Sequence, residues 1–144
     1  MKTLKIVSCA VLILGFLLSG DMPGAEAATF LGDFCWQSAN GVIRLGVTDM
    51  GGGHFLVHGR SSDKLTVANG NAEIFGQQVI VIVNFSGEDD SAINAGTGRL
   101  VLNLSNLNGT VEDLKLKHDK LDPDPKSAVA NHSPPEALTF IPCP

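Results

Sequence analysis

The chain contains 144 residues, of which 44% are hydrophobic and 17% are charged, and its formal net charge is −5. This length suits one domain, and the apolar content excludes a disordered chain. The mild acidity argues against a protein that binds nucleic acid through its phosphates.

The N-terminal segment predicts a secretory signal peptide. Two lysines precede an apolar run of about 13 residues, and Ala25-Glu26-Ala27 then supplies the small-x-small motif that precedes cleavage. Because a bilayer requires about 20 apolar residues, we interpret the run as a cleaved signal and not as an anchor. The sequence therefore predicts a signal peptide over residues 1–27 and one mature domain over residues 28–144. The mature protein is expected to be secreted or periplasmic, with no integral membrane segment.

The cysteines predict one disulfide. Cleavage removes Cys9 and leaves Cys35 and Cys143, which lie near the two ends of the mature domain. Two cysteines in a chain sent to an oxidising compartment are expected to pair. Since a disulfide holds its alpha-carbons within about 7 Å, the first and last segments of the domain must meet.

Short β-branched and aliphatic runs follow one another through the mature chain, separated by glycine and asparagine. Alternation of apolar and polar residues predicts strands, and Asn-Gly pairs at 40–41, 69–70 and 108–109 predict hairpin turns. The predicted strands cover residues 34–38, 42–47, 54–60, 65–68, 71–75, 78–85, 99–105, 110–118 and 137–141.

This succession indicates an all-β fold, either a barrel or a sandwich. A disulfide between the terminal segments favours an antiparallel up-and-down β-barrel of about eight strands, because it joins the first strand to the last. A β-sandwich is the alternative.

The start of the first strand resembles a known superfamily. Gly32-Asp33-Phe34-Cys35-Trp36 is similar to a stretched form of the glycine-x-tryptophan opening of calycins, the superfamily of lipocalins and avidins. The resemblance extends over residues 30–143 in length and in the succession of hairpins. It implies an eight-stranded barrel closed at one end by the tryptophan, and a ligand held in the interior.

Alternation also predicts which side chains face the interior. The lining is expected to be wholly apolar, so we expect a small hydrophobic ligand, with no cofactor and no metal. The expected inward residues are Phe34, Trp36, Ile43, Leu45, Phe55, Val57, Leu100, Leu102, Leu104, Leu114, Leu116, Leu138 and Phe140. Among them, the candidate ligand-binding residues are Trp36, Phe55, Val57, Leu102, Leu116 and Phe140.

Other site chemistries find little support in the sequence. His54 and His58 lie on one predicted strand about 13 Å apart, which is too far to chelate one ion. The chain has no Gly-x-Ser-x-Gly motif, and no cysteine stays free once the disulfide forms, so we do not expect an enzyme.

Two further segments keep other functions open. Gln78–Phe85 is apolar on both faces, since Ile80 and Ile82 oppose the valines, and this favours a protein partner or a homo-oligomer. The proline-rich segment Asp119–Glu136 is expected to lack regular structure and to act as a lid or as a disordered insertion. The alternatives to a ligand-binding barrel are thus a protein-interaction module, such as a protease inhibitor or surface adaptor, and a filled structural barrel.

Overall fold

The computed structural model describes residues 27–60, 66–88 and 91–144. The predicted signal peptide lies outside these residues except for its last position, Ala27. The strands are β1 (Thr29–Ser38), β2 (Gly41–Asp49), β3 (His54–Arg60), β4 (Val67–Phe75), β5 (Gln78–Glu88), β6 (Ala92–Asn103), β7 (Gly109–Asp119) and β8 (Val129–Ile141), with a short 3-10 helix at Pro125–Ser127.

All eight strands belong to one antiparallel sheet. Each strand pairs with the next in the chain, and β8 pairs with β1, so the sheet closes into a barrel. The predicted fold class is confirmed. Because the strands run up and down, the β2–β3, β4–β5 and β6–β7 connections lie at one end of the barrel, and the other four lie at the opposite end.

The core forms because every second side chain of a strand points inward. Every strand except β7 contributes a side chain to the core that is no more than 4% exposed, and β4 contributes only Ala72. The buried core residues are Trp36, Leu45, Val57, Ala72, Val81, Val83, Leu100, Leu102 and Leu138. The closed sheet therefore surrounds a mainly aliphatic interior with one tryptophan.

The ring is closed at a short seam. Only Cys35, Trp36 and Gln37 pair with β8, whereas β5 and β6 pair along their whole length, from Gln78 to Glu88. The predicted disulfide is confirmed at this seam, where the alpha-carbons of Cys35 and Cys143 lie 5.1 Å apart. A covalent bond thus reinforces the least extensive strand pairing of the barrel.

The turn predicted at Asn69-Gly70 is wrong, because these residues lie inside β4 and pair with Asn84 and Val83. A β-carbon on Gly70 would collide with the carbonyl oxygen of Ile82 on β5, so this glycine permits a close approach of two strands. The hairpin at Asn40-Gly41 is confirmed, since β1 ends at Ser38 and β2 begins at Gly41.

The expectation for the proline-rich segment Asp119–Glu136 is also wrong in large part. Residues 129–136 belong to β8, and only residues 120–128 connect β7 to β8. Prolines fit here because β1 pairs with β8 only at Thr139–Ile141, so this stretch of β8 is an edge that needs no outward hydrogen bonds. The pairing with β7 also shifts register at Pro134-Pro135. Most of the expected lid is therefore barrel wall.

Candidate functional site

Among the described residues, two cavities open at opposite ends of the barrel. The first, which we call the Trp36 cavity, has a volume of about 180 Å³ and is lined by apolar residues alone, including Leu104 and Leu107 of the β6–β7 connection. The second, which we call the Asp113 cavity, measures about 290 Å³ and reaches Thr66 beside the β3–β4 connection. Leu45 lines both cavities and lies between them.

Trp36 anchors the first cavity. Its side chain is 3% exposed, and its indole Nε1 donates a hydrogen bond to the carbonyl oxygen of Leu107 at 2.8 Å. The rings of Phe34 and Phe140 lie 6.4 and 5.9 Å from the indole, measured between ring centroids. A buried tryptophan needs such an acceptor for its N–H group, and this bond holds the β6–β7 connection against β1.

Four of the six candidate ligand-binding residues line this cavity, namely Trp36, Phe55, Val57 and Leu102. Phe140 does not line it, since its side chain is 38% exposed and contacts the rings of Trp36 and Phe34 at the rim. Whether these residues bind a ligand remains a prediction.

The expected inward orientation of Leu114 and Leu116 is wrong. Their side chains are 55% and 51% exposed, and they alternate along β7 with Val111 and Asp113, which line the interior. The sequence analysis assigned the two leucines to the core because their face of β7 is the more apolar one. The register of β7 against β6 instead turns the face that carries Val111 and Asp113 toward the interior. Leu116 is therefore excluded from the interior site.

Asp113 is the residue that sequence reasoning missed. Asp113 lines the second cavity, and its Oδ1 atom is buried without a hydrogen-bond partner among the described residues. On the neighbouring strands it faces Gly98 of β6 and Ser133 of β8. The only sequence signal was Val111, an apolar residue two positions earlier and hence on the same face of β7.

Exposed titratable groups form several ion pairs, and Glu112 contacts both Arg99 and His132. His54 lies 3.4 Å from Glu73, measured from Nδ1 to Oε1, and His58 covers the alpha-carbon of Gly46. A hydrogen bond from the backbone of Asp124 lowers the pKa of Asp122, and a hydrogen bond from the side chain of Ser127 lowers it further. Within residues 27–60, 66–88 and 91–144, no three potential ligands lie together where they would hold a metal ion.

The strand predicted to contact a partner is β5. Val81 and Val83 are buried in the interior, while Ile80 and Ile82 lie on the outer face and are half-buried. A partner or second copy at this strand remains a prediction. Across the described part of the chain, no helix is long and apolar enough to cross a membrane.

Comparison with known proteins returned no relative. No protein-family model matches the chain, and searches of the curated proteins and of the solved structures found no match. The function is therefore argued from the geometry of the two cavities.

Proposed function

We propose that the protein is a secreted, non-enzymatic β-barrel that binds one small apolar molecule in the Trp36 cavity. The observation that carries this proposal is the cavity itself, which opens at one end of the barrel and is lined only by apolar residues. Apolar pockets with an aromatic wall are typical of small-molecule sites. The resemblance to calycins, which remains a prediction, favours the same role.

The cavity volume limits the ligand. About 180 Å³ is smaller than the roughly 300 Å³ at which pockets for drug-sized ligands begin. Engineered cavities of about 150 Å³ lined by aliphatic and aromatic side chains nevertheless bind benzene or xenon. We therefore expect a ligand about as large as one aromatic ring, and not a long lipid.

Export from the cytosol is supported by the disulfide between Cys35 and Cys143. Structural disulfides form and persist in oxidising compartments, and they are rare in the cytosol. Together with the predicted signal peptide, this disulfide favours a protein that binds its ligand outside the cell or in the periplasm.

Tryptophan fluorescence tests the proposal directly, because Trp36 is the one tryptophan of the chain and there is no tyrosine. Titration with toluene is expected to change the emission of Trp36 in a saturable manner, since the bound ring would replace solvent or empty space beside the indole. The shifts of the Val57 and Leu102 methyl groups, measured by NMR, are expected to follow the same curve.

A cavity-filling variant sharpens the test. Ala72 lines the cavity and is 4% exposed, so Ala72→Leu is expected to occupy the ligand space and weaken toluene binding about tenfold or more. Ala95→Leu is the matched control, because Ala95 is exposed on β6 and the same atoms would be added outside the barrel. Equal toluene affinity in the two variants, or no saturable change in the unmodified protein, would refute the proposed function.

A further inference from the structure

The Asp113 cavity differs from the Trp36 cavity in one chemical respect, because a carboxylate lies within an otherwise mainly apolar lining. Ala68, Val83, Phe85, Leu100 and Val111 form much of its wall. The lining also includes Arg44 and Thr66, and the cavity measures about 290 Å³. A mainly apolar pocket with a few polar groups is typical of sites that fix the orientation of an apolar ligand.

One oxygen of the Asp113 carboxylate lacks a hydrogen-bond donor among the described residues. Oδ1 of Asp113 is buried and accepts no hydrogen bond from the described residues. Buried side-chain acceptors are satisfied in the large majority of cases, and a carboxylate in apolar surroundings is among the costliest groups to leave alone. Because Asp113 lines the cavity, a rotation of its carboxylate would bring this oxygen within reach of a donor in the cavity.

The protein's own cations do not satisfy this oxygen. Arg44 also borders the cavity, but its guanidinium donates two hydrogen bonds to Asp33. Lys115 lies on the same face of β7, two residues nearer the open end, and forms no ion pair with Asp113. In the described part of the chain, no ion pair thus engages the carboxylate of Asp113.

Small residues create the space beside the carboxylate. Gly98 pairs with Asp113 across the β6–β7 ladder, and Gly59 also lines the cavity. At Gly59 a β-carbon would lie 2.8 Å from the side chain of Leu45, so the wall has room for no larger residue there without displacing that leucine. The volume next to Asp113 therefore depends on glycine at these strands.

We propose that the Asp113 cavity binds a small apolar molecule that carries one ammonium group, with Asp113 as the counter-ion. The apolar body of the ligand packs against Phe85, Leu100 and Val111, and the ammonium donates to the carboxylate of Asp113 as this side chain turns toward the cavity. The net charge of −5 favours the approach of cations. This site is independent of the proposed function, because the two cavities have only Leu45 in common.

The test compares three probes of equal chain length, hexylamine, hexanol and hexanoate, by isothermal titration calorimetry and by NMR of the backbone amides. Hexylamine is expected to bind most tightly and to shift the amides of Gly59 and Gly98. Asp113→Asn is expected to weaken hexylamine about tenfold or more, since charge-assisted hydrogen bonds are the strong ones. It is expected to leave hexanol nearly unchanged.

Glu112→Gln is the matched control, because Glu112 is the adjacent residue and pairs with Arg99 on the outer face. This change removes the same charge from the same strand but outside the cavity, so hexylamine affinity is expected to stay within about twofold. Hexanol binding as tightly as hexylamine, or Asp113→Asn and Glu112→Gln having equal effects, would overturn the proposal. If a variant folds poorly, the comparison of the three probes on the unmodified protein still tests the proposal.

Ala72→Leu separates the two sites. If it abolishes toluene binding and leaves hexylamine binding intact, both proposals stand. If hexylamine shifts the emission of Trp36 and is lost in Ala72→Leu, the amine occupies the Trp36 cavity and the Asp113 site is refuted, whereas the proposed function survives.

Discussion

At the scale of single residues, an acceptor without a hydrogen bond destabilises a folded protein, because water solvates the same group in the unfolded chain. Oδ1 of Asp113 is such an acceptor among the described residues. A binding role explains why a destabilising carboxylate occupies a position where Val111, on the same face of the strand, is apolar. Stability and ligand binding thus oppose each other at this residue.

Asp113→Val is expected to raise the free energy of unfolding of the ligand-free protein by about 1 kcal/mol, since it removes an unsatisfied acceptor and adds apolar contacts. Urea denaturation followed by Trp36 fluorescence measures this change. Lys117→Val serves as the control for strand propensity, because Lys117 is an exposed residue of the same strand. A gain no larger than that of the control would indicate that Oδ1 of Asp113 is already satisfied in solution.

At the scale of elements, the approach of β4 to β5 depends on Gly70. A β-carbon there would collide with the backbone of Ile82, and backbone in a paired strand has little freedom to move away. At Gly46 the clash would involve only the imidazole of His58 and the carboxylate of Asp33, which are side chains that rotate. The two glycines therefore differ in what a methyl group would displace.

Gly70→Ala is expected to lower the free energy of unfolding by about 1–3 kcal/mol, as for other overpacked sites. Gly46→Ala is expected to lower it by less, because the imidazole of His58 has room to turn toward solvent. Thermal and urea denaturation of the two variants measure the difference. Equal losses would show that the β4–β5 spacing does not depend on Gly70.

At the scale of the whole molecule, the barrel depends on one short seam. β1 and β8 share three residue pairs, and the disulfide lies directly beside them, with Cys35 fully buried. The bond closes a loop that spans 108 positions of the chain, so its removal frees nearly the whole barrel segment of the chain in the unfolded state.

Cys35→Ala/Cys143→Ala is expected to lower the free energy of unfolding by about 4 kcal/mol, the value that loop entropy assigns to a loop of this length. Hydrogen exchange is expected to accelerate first in the amides of β1 and β8, where few ladder bonds hold the ring. Reduced unmodified protein is the control and is expected to behave as the double variant does. Unchanged stability would mean that strand pairing alone closes the barrel.

Local pattern was sufficient for several features. Strand β3 was predicted with its observed bounds, His54–Arg60, because its alternation begins directly after Gly51-Gly52-Gly53. The disulfide followed from the cysteine count and the predicted compartment, and the predicted interior includes Trp36, Phe55, Val57 and Leu102. These features depend only on the periodicity within each strand and on the chemistry of the two cysteines, and both can be read from the sequence.

Tertiary structure decided the remaining features, because each depends on a neighbouring strand. The register of β7 places Asp113 inside and Leu116 outside, and a shift of one residue would reverse both. Asn69-Gly70 lies within a strand because β5 approaches it, and Pro134-Pro135 enter β8 because that stretch is an edge. The sequence by itself thus determined an all-β chain with one disulfide and favoured a barrel over a sandwich, and the pairing between strands closed the ring and placed Asp113 at one of the two described cavities.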